Sequence, residues 1–220
     1  MSWLDFLRKG IPADPVEPAG LQRFEVALFP LNAVLFPGGV LSLKVFEQRY
    51  LDMAAACMKD GTPFGVCLIA KGKEVAGKGG ENAVPHKVGT LAHIDSGDMP
   101  QLGILMLEVR GGRRFRIVSQ RTQSDGLLRA QIELLDEPAR QAVPVAQHSL
   151  LPLLQKIAGD LGPAKMPEPH VFDDAAWVGY RLTEVMPVQQ LAKQKLLELK
   201  DPLSRLEILH TYLAQRKLVA

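Results

Sequence analysis

The first half of the chain consists mainly of short apolar runs separated by turn signals. In one run, Phe115 and Ile117 alternate with Arg114 and Arg116, which is the period of a half-buried strand. Only Glu47–Lys59 has a helical pattern in this half. Short strands with hairpin turns and one helix are typical of a small antiparallel barrel rather than a parallel sheet. The predicted strands are Phe24–Phe29, Val40–Val45, Phe64–Ile69, Lys87–Ile94, Gly103–Val109, Arg114–Ser119 and Leu127–Leu135.

Glycine and proline mark the turns of this half. Gly111-Gly112 lies between two strand patterns and predicts a hairpin, because glycine accepts positive φ without strain. The glycine- and lysine-rich stretch Lys71–Asn82 predicts a flexible loop. The phenylalanines expected to fill or cover the barrel core are Phe29, Phe36 and Phe46.

From about residue 143 the hydrophobic period becomes helical. Leucine and isoleucine recur at three- and four-residue spacing between positions 150 and 161, which predicts a first helix. Asp173 or Asp174 could cap a second helix, and Pro187–Leu199 reads as a third. Asp201 followed by Pro202 predicts the start of a fourth, since proline suits the first helical position.

These patterns predict an α+β protein with a barrel followed by helices. Prolines near the N-terminus interrupt any regular element there. The predicted parts are a mobile N-terminal segment over residues 1–21, a β-barrel subdomain over 22–140 and a helical subdomain over 143–220.

Charge, cysteine content and hydropathy limit the classes of protein to which this chain can belong. The 26 lysines and arginines against 24 acidic residues leave a net charge of +2, which does not by itself indicate nucleic-acid binding. The two cysteines fit a reducing compartment. Neither a signal-peptide pattern nor an apolar run of membrane-spanning length is present, so we expect a soluble cytoplasmic protein without membrane contact.

Several motifs, in their order along the chain, resemble the N-terminal substrate-recognition domain of the ATP-dependent Lon protease family. The resemblance runs from about Glu25 to the C-terminus. It implies a PUA-like, six-stranded β pseudobarrel joined to a C-terminal helical bundle. It also implies a stand-alone domain, since the chain ends before the ATPase and protease modules of Lon would begin. The motifs are Leu28-Phe29-Pro30-Leu31, Val34-Leu35-Phe36-Pro37-Gly38, Phe46-Glu47-x-Arg49-Tyr50, Val88-Gly89-Thr90, Gly111-x-x-Arg114-Phe115-x-Ile117 and Leu196-Leu197-Glu198-Leu199-x-Asp201-x-x-x-Arg205-Leu206.

The motifs that usually carry catalysis are missing from the sequence. A phosphate-binding loop needs a serine or threonine after Gly-Lys, but glutamate follows Gly72-Lys73 and glycine follows Gly77-Lys78. No serine lies in a G-x-S-x-G elbow, and no local cysteine or histidine spacing suits a metal. His210 shares a helical face with leucines and is expected to be a structural histidine. We therefore expect no enzyme activity, no metal and no cofactor.

Two groups of residues are candidates for contacts with a partner. Glu47 and Arg49 begin the helix after a strand, where a helix-start carboxylate and an arginine that ties strand to helix are favoured over a partner hook. On the second helix of the second half, Trp177 and Tyr180 lie beside Arg181 and Glu184, nearly opposite the apolar face. A helix within a bundle can bury both faces; otherwise these four residues form an exposed recognition patch.

The leading hypothesis is a non-catalytic module that binds unfolded polypeptide or a protein partner, with a role in protein quality control. An alternative is a small-molecule- or RNA-binding barrel, for which a basic surface from Arg110 to Arg129 would be needed. A second alternative, a cryptic hydrolase, has little support from the motifs. Nucleic acid is disfavoured because no aromatic stacking platform accompanies the arginines. The sequence carries no signal for oligomeric state.

Overall fold

A computed structural model of the chain describes residues 23–72 and 83–219. The predicted mobile segment 1–21 and most of the predicted loop Lys71–Asn82 lie outside these residues. The chain divides into two compact units. Within the described residues, one comprises 23–37 together with 41–135, and the other comprises Gly38–Val40 together with 136–219.

The first unit is a sheet of seven strands with one helix among its described residues, and the predicted α+β class is confirmed. The hydrogen-bonded order is β1-β7-β6-β5-β3-β4, with β2 paired to β6. β3 also pairs with β1, in parallel, so the path of strands returns to its start. The elements are β1 (Arg23–Leu31), β2 (Val40–Val45), α1 (Gln48–Asp60), β3 (Phe64–Lys71), β4 (Val84–Pro85), β5 (Val88–Gln101), β6 (Ile104–Thr122) and β7 (Leu128–Leu134).

Both faces of the β1 strand are buried, which explains its nearly continuous apolar sequence. Val26 and Leu28 belong to one apolar cluster, whereas Ala27 and Phe29 belong to another that includes the buried side of α1. Phe29 stacks on Tyr50 of α1 with ring centroids 4.1 Å apart. The unit therefore holds its strands between two apolar layers.

The predicted hairpin at Gly111-Gly112 is wrong. Both glycines lie inside the continuous strand β6, and the β5–β6 turn falls at Leu102-Gly103. Gly111 is needed for close packing instead, because a Cβ there would lie 2.0 Å from the carbonyl oxygen of Phe36. The register of β5 against β6 shifts beside it, between Thr90 and Ala92, as in a β-bulge.

Of the three phenylalanines predicted for the core, Phe46 does not belong there. Phe29 and Phe36 are buried, but Phe46 is 50% exposed. It follows the end of β2 and precedes α1, so no regular element directs its side chain inward.

The segment after Phe46 supports the structural interpretation of Glu47 and Arg49. The Arg49 guanidinium lies 2.8 Å from the Glu47 carboxylate and donates to the carbonyl oxygen of Gly126 at 2.9 Å. Arg49 thereby ties the start of α1 to the turn between β6 and β7.

The second unit contains four α-helices in its described residues. They are α2 (Leu150–Leu161), α3 (Ala175–Val185), α4 (Gln190–Glu198) and α5 (Pro202–Gln215), preceded by a 3-10 turn at Val145–Gln147. The predicted start of α5 is confirmed, since Asp201 accepts a hydrogen bond from the Ser204 backbone N–H at 2.8 Å. For α3 the cap is Asp174, which accepts from the Ala176 N–H at 2.9 Å. Within the described residues, no helix is both long and apolar enough to cross a membrane.

Candidate functional site

The four residues proposed from the sequence for partner binding do not form one exposed patch. Trp177 is half-buried, whereas Tyr180 and Arg181 are only 4% and 3% exposed. The Arg205 guanidinium covers the Tyr180 ring at 4.2 Å from its centroid. α3 therefore buries residues on both of its faces, which is the other arrangement that the sequence allowed.

Arg181 and Glu184 form a largely buried ion pair and not an exposed contact site for a partner. Their side chains are 2.9 Å apart, and that of Glu184 is 22% exposed. Burial raises the pKa of Glu184 to about 7, although the charges of Arg181 and Lys193 act in the opposite direction. The Lys193 ammonium donates to the backbone carbonyl of Glu184, and burial lowers the pKa of this lysine. These contacts fix the end of α3 to the start of α4.

Trp177 belongs to a different group, the aromatic cluster of His170, Phe172 and Trp177. The Phe172 and Trp177 rings meet edge to face with centroids 5.2 Å apart. The His170 ring lies 5.5 Å from Phe172 and 5.8 Å from Trp177. All three side chains are only partly buried, so the cluster combines apolar area with access to solvent.

A groove of about 380 Å³ lies beside this cluster, and we call it the aromatic groove. Its walls come from the C-terminal half of α2 and from the segment between α2 and α3. At Gly159 and Gly162 no heavy atom lies within 4 Å of the place where a Cβ would be, so the missing side chains leave the groove open. The lining residues are Gln155, Ala158, Gly159, Gly162, Pro163, Met166, Glu168, His170 and Phe172.

The loop after α2 builds the floor of the aromatic groove. Gly162 has a φ of 70° and its carbonyl accepts from the Met166 N–H at 3.0 Å, which returns the chain toward α2. The Met166 side chain is then buried in the helical core. Nε2 of His170 lies 3.0 Å from the Met166 carbonyl oxygen. Because a carbonyl only accepts, Nε2 is the donor in this contact.

One serine–histidine contact arises in the helical unit. Nε2 of His210 on α5 lies 3.1 Å from Oγ of Ser149, just before α2. Neither residue lines the aromatic groove or the cavity beside β1 described below. The contact joins the start of α2 to α5, as expected of a structural histidine. In the described part of the chain, no three potential ligands among His, Cys, Asp and Glu could hold a metal ion.

Three of the six arginines between positions 110 and 129, which were considered for RNA contact, pair with carboxylates. Arg110 pairs with Asp95 at 2.8 Å. Arg121 and Arg129 both pair with Glu25, at 2.9 and 3.0 Å. The hydrogen bonds from Arg121 and Arg129 lower the pKa of Glu25, which keeps this carboxylate charged. A phosphate backbone would have to displace these carboxylates.

Several residues of the aromatic groove were missed at the sequence level. His170 and Phe172 follow a stretch rich in proline and glycine that looked like a simple connection. His170 and Phe172 are two positions apart, and Phe172 precedes Trp177 by five. This run of aromatic residues is a sequence signal for the cluster, but it does not reveal that Gly159 opens the opposite wall of the groove.

Comparisons with known proteins agree with this architecture. Residues 25–215 match the family of the ATP-dependent protease La (LON) substrate-binding domain. A crystal structure of a Lon N-terminal domain protein from Xanthomonas campestris is 33% identical, with a TM-score of 0.70 over 86% of this chain and 98% of that chain. The N-terminal domain of a Mycobacterium avium complex Lon protease, 18% identical, has a TM-score of 0.59 over 87% and 98%, which shows a likeness of fold. No curated protein sequence matches the chain significantly.

The seven-stranded sheet and the helical unit define a protein of the α+β class. The chain belongs to the Lon substrate-binding domain family. The domain that defines this family is the substrate-binding domain of an ATP-dependent protease.

Proposed function

We propose that this chain is a non-catalytic module that binds polypeptides in non-native form and places one apolar side chain in the aromatic groove. Its setting would be protein quality control in the cytoplasm. Unfolded chains expose apolar side chains that folded proteins bury, so an open apolar groove discriminates between the two states. The observation that carries the proposal is the open groove beside Trp177 in a member of a substrate-binding family.

The groove has suitable dimensions for this role. Its volume of about 380 Å³ lies in the range of pockets that enclose small ligands and single large side chains. Pro163 and Phe172 supply accessible apolar surface, while Gln155 and His170 can bond to the backbone of a bound segment. Aromatic residues on rigid supports contribute strongly to recognition, because little side-chain entropy is lost.

The direct test is to fill the groove from its glycine wall. Gly159→Leu adds a side chain where no atom lies within 4 Å, so it should block the groove without disturbing α2. Thr211→Leu, at an exposed position of α5 outside the groove, is the matched control. Permanently unfolded carboxymethylated α-lactalbumin serves as the probe, and native α-lactalbumin serves as the folded comparison.

The expected result is a loss of affinity of about tenfold or more in Gly159→Leu, because burial of one large apolar side chain is forfeited. Thr211→Leu should bind like the wild type. Affinity is measured by the fluorescence anisotropy of fluorescein-labelled carboxymethylated α-lactalbumin titrated with each variant. Equal affinity of Gly159→Leu and the wild type would exclude this groove as the binding site, and no preference for the unfolded probe would exclude the function.

A further inference from the structure

The strand β1 is paired unequally on its two sides. Toward β7, its register runs from Arg23 to Leu28. Toward β3, pairing begins only at Leu28, opposite Gly65. Among residues 23–72 and 83–219, no strand pairs with the β3-facing side of Arg23–Ala27. Half of the backbone N–H and C=O groups in this stretch therefore point to an edge, because alternate residues direct them to opposite sides.

The open edge results from the path of the chain before β3. Gly61 ends α1 in the left-handed conformation, with a φ of 64°, and its N–H bonds back to the Cys57 carbonyl. Thr62 and Pro63 then connect α1 to β3. As a result, β3 begins only at Phe64, and the C-terminal part of α1 faces the start of β1 across a cavity.

A cavity of about 340 Å³ lies along this edge. Phe24, Glu25, Val26 and Ala27 all line it. Consecutive strand residues point to opposite faces of a sheet, so a cavity that touches four in a row must face the strand's edge. Its other walls are formed by Met53, Ala56, Cys57 and Asp60 of α1, with Thr62, Pro63 and Arg129.

The two sides of this cavity differ in chemistry. Met53, Ala56 and Cys57 give an apolar wall, and burial raises the pKa of the Cys57 thiol to about 11, so the thiol stays neutral. Arg129 is already paired with Glu25. Asp60 has no ion-pair partner among the described residues and lies at the C-terminal end of α1, where the helix dipole adds negative potential.

We propose that an extended polypeptide segment adds as a strand to the open edge of β1 over Arg23–Ala27, with an apolar side chain against Ala56 and a lysine or arginine beside Asp60. Main-chain hydrogen bonds to the edge give affinity for any extended sequence, and the α1 wall gives a side-chain preference. The inference rests on the proposed function, because it supplies a second contact for the same class of ligand. It explains how one module could hold an unfolded chain at a backbone site and at an apolar groove.

The sharpest test uses backbone methylation. The probe is a fluorescein-labelled peptide of eight residues, Thr-Val-Thr-Lys-Thr-Val-Thr-Lys, which places valine and lysine on the same face, in three forms: unmethylated, N-methylated at the threonines, and N-methylated at the other residues. The two methylated forms lose hydrogen-bond donors on opposite edges of the extended peptide. We expect one methylated form to bind about tenfold or more weakly and the other to bind like the parent. Equal affinity of both methylated forms, whether high or low, would contradict strand addition at one edge.

Variants of α1 locate the contact. Ala56→Trp fills the cavity and should weaken binding of the unmethylated peptide about tenfold. Gln48→Trp, at an exposed position on the same helix outside the cavity, is the control and should leave this binding unchanged. The wild type should bind the lysine-containing peptide more tightly than a version with glutamine in place of lysine. Asp60→Asn should reduce this difference in affinity. Backbone amides within Arg23–Ala27 should gain protection from hydrogen exchange when the parent peptide binds.

The outcomes separate this inference from the proposed function. Suppose that Ala56→Trp binds the peptide as tightly as the wild type, while Gly159→Leu has lost its affinity for carboxymethylated α-lactalbumin. Strand addition is then wrong, and the groove proposal stands. If the wild type binds neither probe, both proposals fail. Thermal unfolding of each variant near the wild-type midpoint shows that any lost binding is not a loss of fold.

Discussion

Two glycines show how strongly a single missing side chain can act in this protein. At Gly111 a Cβ would collide with backbone, whereas at Gly159 it would meet open space. We expect Gly111→Ala to destabilise the fold by about 2 kcal/mol or more, because the overpacked atoms belong to main chain that cannot move aside easily. Gly159→Ala should stabilise it by about 0.5–1 kcal/mol, because alanine suits a helix better than glycine.

Urea unfolding of the two variants tests this pair. The same chemical change should shift the unfolding midpoint in opposite directions at the two positions. A stable Gly111→Ala variant would show that the Phe36 segment can withdraw from β6.

Glu184 gives the protein a pH-dependent stability at the residue scale. Its pKa of about 7 in the folded chain lies above the ordinary 4.5, so the folded state binds this proton more tightly than the unfolded state. The resulting stabilisation is complete below pH 4.5 and is lost as the pH rises through 7. We expect Glu184→Gln, which cannot ionise, to gain stability relative to the wild type by up to about 3 kcal/mol between pH 4.5 and pH 8.

The measurement is the free energy of unfolding of both proteins at several pH values across this window. Glutamine keeps the size of the side chain and can still accept from Arg181, so packing is matched. A difference between the two proteins that stays constant with pH would show that burial does not penalise the Glu184 carboxylate.

At the scale of elements, α3 depends on how its first turn is capped. The Asp174 carboxylate accepts from the Ala176 N–H, one of the donors that a helix leaves unpaired at its start. We expect Asp174→Ala to destabilise the protein by about 1 kcal/mol and Asp174→Asn to cost much less, since asparagine caps nearly as well. Chemical denaturation of the two variants distinguishes them, and equal losses would mean that the charge rather than the cap is important.

Elements also show where reasoning from the sequence reached its limit. The alternation around Phe115 and the Asp201-Pro202 pair are local signals, and the strand and helix start they predicted are present. Locally, Gly111 looks like a glycine in a hairpin turn. The need for glycine there comes instead from the Phe36 backbone, which is distant in sequence and packs against it. Projection of α3 placed Trp177 beside Tyr180, although only neighbouring segments decide that Arg205 covers one ring and His170 meets the other.

At the scale of the whole molecule, charge argues for polypeptide rather than nucleic acid. The net charge is +2, and several exposed arginines already pair with carboxylates. Affinity for carboxymethylated α-lactalbumin should change less than about threefold between 50 and 200 mM NaCl, because apolar burial and a single ion pair are only weakly screened. RNA bound through several phosphates would lose about a thousandfold or more over the same range.

A 20-nucleotide RNA titrated under the same two salt conditions completes this comparison. Tight RNA binding with a steep salt dependence would favour the alternative of an RNA-binding barrel. Weak RNA binding together with salt-tolerant polypeptide binding would support the proposed function.

The sequence by itself determined the α+β class, the change from strands to helices along the chain, and the family. These follow from hydrophobic period, capping residues and ordered motifs, which act over a few residues and can be read without knowing the fold. The tertiary structure alone decided that Tyr180 and Arg181 are buried, that Gly159 faces an open groove, and that no strand among the described residues pairs with the β3-facing edge of Arg23–Ala27. Those features depend on which distant segments meet, and no local pattern specifies such contacts.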